Sequence, residues 1–155
     1  MDDRIRAFGE ELGTKLLARD WQGAHALLAP WLARTIDAEG IRAMLEAEYR
    51  ATVAQSDAPS EAILYPEYPE PDVGGNHFTS ADDLRKPMSW KPGFVRPVPP
   101  EVTNDNMVYW MCVKLSCSDE QMDRLGVDFL AEVWAAVVET PEGLRVGYWA
   151  TDAYG

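Results

Sequence analysis

The sequence predicts an α+β fold, with N-terminal helices packed on a curved, mostly antiparallel sheet. Three observations predict it. Apolar residues recur every three or four positions through residues 1–54, and they alternate through much of 107–155. Between these stretches lies a proline-rich segment, 55–106, that suits neither a long helix nor a central strand. A chain of 155 residues, 46% hydrophobic and 26% charged, fits one such domain, because two independent cores would each be small.

Ile5, Phe8, Leu12 and Leu16 line one face of a helix over 3–18. Asp2 and Asp3 suit the positive end of its dipole, and Lys15 and Arg19 the negative end. Asp20 then caps a short second helix carrying Trp21, Ala24, Leu27 and Leu28. Pro30 lacks a backbone donor, so the chain turns there and continues briefly through Trp31 and Leu32. A third helix follows the cap Asp37 and runs to about Ala54. Ile36 and Ile41 are placed as a hydrophobic staple, and Met44, Leu45 and Tyr49 extend the stripe.

Residues 55–106 hold all of the eleven prolines except Pro30 and Pro141. Within them, 62–65 and 94–98 are candidate edge strands, and Ser80 with Asp83 starts a short helix that Pro87 ends. A structureless stretch of this length is unusual inside a compact domain. It is therefore expected to wrap the sheet, held by Tyr65, Tyr68, Phe78 and Trp90.

From 107 to 117 the odd positions Met107, Tyr109, Met111, Val113 and Leu115 form an apolar face, joined on the even side by Val108, Trp110 and Cys112. Ser118 and Gln121 form a capping-box pattern for a short helix that Gly126 ends. Residues 128–139 fit either period. The β-rich run from 133 to 138 and the turn Thr140-Pro141-Glu142-Gly143 favour a strand there and a hairpin. Leu144, Val146, Tyr148 and Ala150 then alternate with Arg145, Gly147, Trp149 and Thr151.

The net charge of −12, with 14 basic residues against 26 acidic ones, argues against binding to nucleic acid or to an anionic membrane. It suits either plain solubility or a surface complementary to a basic protein. The opening MDDRIRAFGEEL has no apolar run of a secretory signal, and no stretch approaches a membrane span, so a cytoplasmic chain is expected. Cys112 and Cys117 are five apart and fall on opposite sides of an extended chain, which predicts reduced thiols. Two thiols and two histidines also fall short of a zinc-ligand set, and no cofactor is expected.

The runs LLARDWQGAHALLAPWL, TIDAEGIRAMLEAEY and VVETPEGLRVGYW resemble the nuclear-transport-factor-2-like superfamily, also called the cystatin-like cone or SnoaL-like fold. The resemblance covers the first and last thirds of the chain. It implies a cone with a pocket between helices and sheet, and a tendency to pair as a homodimer through the sheets. Members include isomerases, dehydratases, cyclases, partner-binding proteins and toxin-immunity proteins, so the fold alone does not decide function. The isomerases of this kind place a tyrosine on the first helix to donate to an oxyanion. The first helix here has no Tyr or His, and that motif is not matched. Tyr109, Tyr148 and Asp152 are the other polar groups considered for the cone.

The candidate binding residues are Tyr65, Tyr68, His77, Trp110, Trp134 and Trp149. Tyr65 and Tyr68 belong to YPEYPEP, which favours a polyproline II segment, either presented to a partner or packed down as a stiff connector. His77 lies beside Gly74-Gly75 in a loop, where a turn residue is the bland alternative. Of the six tryptophans, Trp110, Trp134 and Trp149 share the less uniformly apolar phase of their strands and are the candidate pocket walls. Core packing is the bland alternative for them, and surface or capping use for His25. Two functions follow. The first is a non-enzymatic module binding a basic protein partner, of immunity or regulatory type. The alternative is an enzyme or binder taking a small apolar ligand in the cone.

Overall fold

The computed structural model describes residues 1–59, 63–86 and 97–151. Helices come first: α1 (Asp3–Leu17), α2 (Trp21–His25), α3 (Pro30–Ala33) and α4 (Ala38–Ala54). Asp2, Asp20 and Asp37 cap three of them, accepting from the amides of Ile5, Gly23 and Gly40 at 2.9, 2.9 and 2.7 Å. Pro30 opens α3, where its missing N–H breaks no helical bond. The second helix is shorter than expected. After His25 the chain leaves it, and Leu28 forms a parallel bridge with Val146. Val146 donates to the Leu27 carbonyl and the Ala29 amide donates to the Val146 carbonyl, both at 2.8 Å.

An open antiparallel sheet follows, in the spatial order β1 (Asp72–Asn76), β2 (Met107–Ser116), β3 (Phe129–Thr140) and β4 (Gly143–Thr151). Helix α5 (Ala81–Arg85) joins β1 to β2, and α6 (Asp119–Leu125) joins β2 to β3. Both start in capping boxes, Ser80 with Asp83 and Ser118 with Gln121, and Gly126 ends α6 in the left-handed conformation. At 129–138 the strand wins over the helix. Both faces of β3 are largely buried, so its apolar residues run almost unbroken and imitate a helical stripe. Val133, Val137 and Val138 favour the extended chain.

Each face of the sheet carries its own core. Tyr109, Met111, Val113 and Leu115 of β2, with Val133, Ala135 and Val137 of β3, pack with Leu12, Leu16, Ile41, Leu45 and Tyr49 of α1 and α4. Helix α1 approaches closely because it carries glycines there. A Cβ at Gly9 would lie 2.6 Å from Val73, and one at Gly13 would lie 2.3 Å from Pro71. On the other face Trp110, Ala136, Val138, Tyr148 and Ala150 pack with Ala81, Leu84 and Val102. Arg85 fastens this cover, its Nη2 donating to the carbonyls of Pro99 at 2.7 Å and Val102 at 2.6 Å.

The last strand departs from simple alternation. Ala136 faces Tyr148 but Val137 faces Val146, so Gly147 is an extra residue. That bulge keeps Leu144 and Val146 on the helix side, sends Tyr148 to the other face and returns Trp149 to the helix side.

The middle segment differs most from expectation. Ile63, Leu64 and Tyr65 take no strand conformation, nor do Pro97 and Val98; Ala62 and residues 94–96 lie outside the described residues, as do Pro87 and Asp152. The strand that forms instead, β1, has the sequence Asp-Val-Gly-Gly-Asn, poor in strand formers. Gly75 explains it: at φ 132 a Cβ would sit 2.2 Å from the Trp110 carbonyl oxygen, so only glycine lets the chain lie against β2. Of the aromatics expected to hold the segment, Tyr65 packs against the helix-side core, while Tyr68 and Phe78 are 45% and 80% exposed. Trp90 lies outside the described residues. Hydrogen bonds hold this stretch instead.

Candidate functional site

A groove of about 430 Å³ runs between the 68–72 stretch and α6. Its outer wall is chain that Gln121 pins in place. The Gln121 side chain, 2% exposed, donates through Nε2 to the Tyr65 carbonyl at 2.8 Å and accepts from the Glu67 amide at 3.0 Å. The same Oε1 accepts from the Ser118 amide at 3.1 Å, so one side chain closes the cap of α6 and anchors the segment. Prolines at 66, 69 and 71 stiffen what lies between.

The groove's lining sets its chemistry. Glu70, Asp72, Asp119 and Asp128 supply carboxylates, Tyr68 and Met122 supply apolar surface, and among the described residues no Lys or Arg lines it. Tyr68 and Met122 are 45% and 36% exposed, so their apolar surface is open to a ligand in the groove. Lys114, paired in register with Asp72, has its ammonium 5.2 Å from the centre of the Phe129 ring. The Cys117 thiol also lines the groove, but burial and then the neighbouring Asp128 push its pKa up, so it stays protonated. Asp128 also borders a smaller hollow of about 310 Å³ with Thr52, Gln55 and Phe129. Among the described residues no group of His, Cys, Asp and Glu converges to hold a metal ion.

Behind the outer wall sits a polar network. Glu46 of α4, 6% exposed, accepts the Tyr65 hydroxyl on Oε1 and Arg42 Nη1 on Oε2. Arg42 also donates through Nε to both oxygens of Glu39 at 2.9 and 2.8 Å. Arg19, at φ 58, lays its guanidinium 4.1 Å from the centre of the Tyr65 ring, and Tyr49 meets that ring edge-on at 5.8 Å. The hydrogen bond to Glu46 raises the Tyr65 pKa, and burial, then Glu48, raises that of Tyr49. Both oxygens of Glu46 are occupied, and the network reads as an anchor for Tyr65. Sequence reasoning missed it, although Glu46 and Glu48 sit within the apolar stripe of α4, where a carboxylate needs a partner.

The residues singled out from the sequence do not form one site. Tyr68 lines the groove and Tyr65 anchors its wall. His77 stacks against exposed Phe78, with ring centres 3.8 Å apart, and faces Tyr109 at 6.4 Å. The three tryptophans do not wall a common pocket. Trp110 stacks on Trp134 at 5.5 Å and on Tyr148 at 6.4 Å, all on the face away from α1 and α4. Trp149 lies on the opposite face, because the Gly147 bulge turned it there. Trp134 donates to Glu132 at 2.7 Å. His25 Nε2 donates to the Ala33 carbonyl at 3.1 Å, tying α2 to α3. Both cysteines are buried free thiols. Comparison of the chain with family models, curated proteins and solved structures finds no match.

Proposed function

We propose that this chain is a non-enzymatic binding module that takes a basic segment of a protein partner into the groove between residues 68–72 and α6. The observation that carries this reading is the lining: four carboxylates beside exposed Tyr68 and Met122, with no basic side chain among the described lining residues. Lysine and arginine suit such a place twice over, their charged ends meeting carboxylates and their stems or planes lying on apolar and aromatic surface. The chain's net charge of −12 steers the same class of partner from a distance. An immunity-type or regulatory role fits a protein that works by covering a basic surface.

Close packing among the described residues between helices and sheet supports this reading over a small-ligand pocket there. Leu12, Ile41, Leu45, Met111, Val113, Leu115, Val133 and Ala135 are all 0% exposed, and a water-sized void beside them would leave them accessible.

The test is binding of a fluorescent Lys/Arg-rich peptide to the whole chain across a salt series, with Glu70→Lys/Asp128→Lys as the comparison. The expected result is affinity that falls with salt and drops by at least about tenfold in the double reversal. Affinity unchanged by the reversal would overturn the groove as the site.

A further inference from the structure

The two borders of the sheet are treated differently. Along β4, Leu27 and Ala29 bond to Val146, and Trp31 Nε1 donates to the Gly147 carbonyl at 2.8 Å. That border is covered. Among the described residues β1 bonds only to β2, which leaves its outer backbone groups without a strand beside them. An edge of this kind is a template for one more strand.

Three features of β1 say what would pair there. At its start lie Glu70 and exposed Asp72, both of which line the acidic groove, so the groove and the edge are one continuous surface. In its middle, nothing lies within 4 Å of where a Cβ of Gly74 would stand, so a side chain from an added strand has room there. Beyond its end, His77 and Phe78 stack as an exposed aromatic step, Phe78 being 80% exposed. A second copy of this chain fits poorly. It would bring its own Glu70 and Asp72 to the shared edge, together with another net charge of −12. Glu70 and Asp72 thus guard the edge against like chains while leaving it open to a basic one.

We propose that the partner's basic segment binds as an added β-strand on the outer edge of β1, with Lys or Arg beside Glu70 and Asp72, a side chain over Gly74 and an apolar residue against Phe78. This rests on the groove reading above and specifies its geometry: backbone hydrogen bonds hold the segment, and side chains select it.

Two peptides separate the two readings. One alternates Lys and Val; the other is the same sequence N-methylated at every second amide along its bonding edge, which keeps the charge but removes the donors that pair with a strand. Binding to the whole chain is read by fluorescence anisotropy, and protection of the β1 amides by hydrogen exchange. Strand addition predicts slowed exchange at β1 with the first peptide and at least about tenfold weaker binding of the second. Gly74→Val, which fills the open position, is expected to weaken the first peptide similarly while the melting temperature holds. Equal binding of both peptides, lost on Glu70→Lys/Asp128→Lys, would leave the groove standing and sink strand addition. Binding of neither peptide overturns both readings. Protection of β1 that grows with protein concentration and needs no peptide assigns the edge to a second copy and overturns the proposal.

Discussion

The hydroxyl of Tyr65 donates to the buried carboxylate of Glu46, joining the proline-rich stretch to the middle of α4. They lie nineteen positions apart in sequence, and the first part of that interval is the rest of α4. The bond ties the outer wall of the groove to the rigid part of the molecule.

Tyr65→Phe removes the donor and leaves Glu46 buried with one acceptor unfilled. A loss of about 1–3 kcal/mol is expected, read as a lower urea midpoint at unchanged slope.

The same pair makes stability depend on alkaline pH. Glu46 holds the Tyr65 phenol above its ordinary pKa, and burial does the same for Tyr49. Above about pH 10 the unfolded chain gives up these protons while the folded chain keeps them. The contribution is therefore complete below that pH and is lost as pH rises through the folded values. Urea titrations at pH 8 and 11 should show the decline, and Tyr65→Phe should make it shallower.

Gly74 and Gly75 are neighbours with opposite demands. Gly75→Ala puts a methyl against the Trp110 carbonyl at a φ that side chains avoid, and a loss of about 1–3 kcal/mol or more is expected. Gly74→Ala meets nothing and should fall between neutral and about 1 kcal/mol stabilising. Thermal melts of the two variants check the contrast. Equal losses would show that β1 is not placed as described.

Arg85→Ala should loosen the cover over Trp110 and Tyr148, because its guanidinium holds the carbonyls of Pro99 and Val102. Acrylamide should then quench tryptophan emission more strongly. The stability loss should stay near about 1 kcal/mol, since Arg85 is itself exposed.

Cys112 and Cys117 should resist alkylation in the folded chain at pH 8 and react at once in denaturant. Burial raises both thiol pKa values, with Glu132 adding to the effect at Cys112 and Asp128 at Cys117. Rapid native-state labelling of Cys117 would mean that the groove floor opens.

The sequence was most informative where one residue type permits few conformations. Asp2, Asp20 and Asp37 announced helix starts, the Ser118/Gln121 box announced α6, and the Pro141–Gly143 turn announced the hairpin. It was least informative where geometry comes from a distant contact. The strand character of β1 rests on the closeness of Gly75 to Trp110, which a run of Asp, Val, Gly, Gly and Asn does not advertise. The tryptophan grouping failed for a related reason. One extra residue at Gly147 reverses the phase of everything after it, and a bulge leaves little trace in an alternating pattern. The groove was half legible. YPEYPEP and its tyrosines stood out, but the part played by Gln121 depends on a fold that brings residue 121 to residue 65.

The bridge between Leu28 and Val146 also has a kinetic meaning. A border sealed by residues 118 positions apart cannot close on the ribosome until Val146 has emerged. Until then the backbone of Leu27 and Ala29 waits without its partner, and contacts of such long range are the slow ones to form. Nascent chains halted before Val146 should therefore engage chaperones that the finished protein no longer needs.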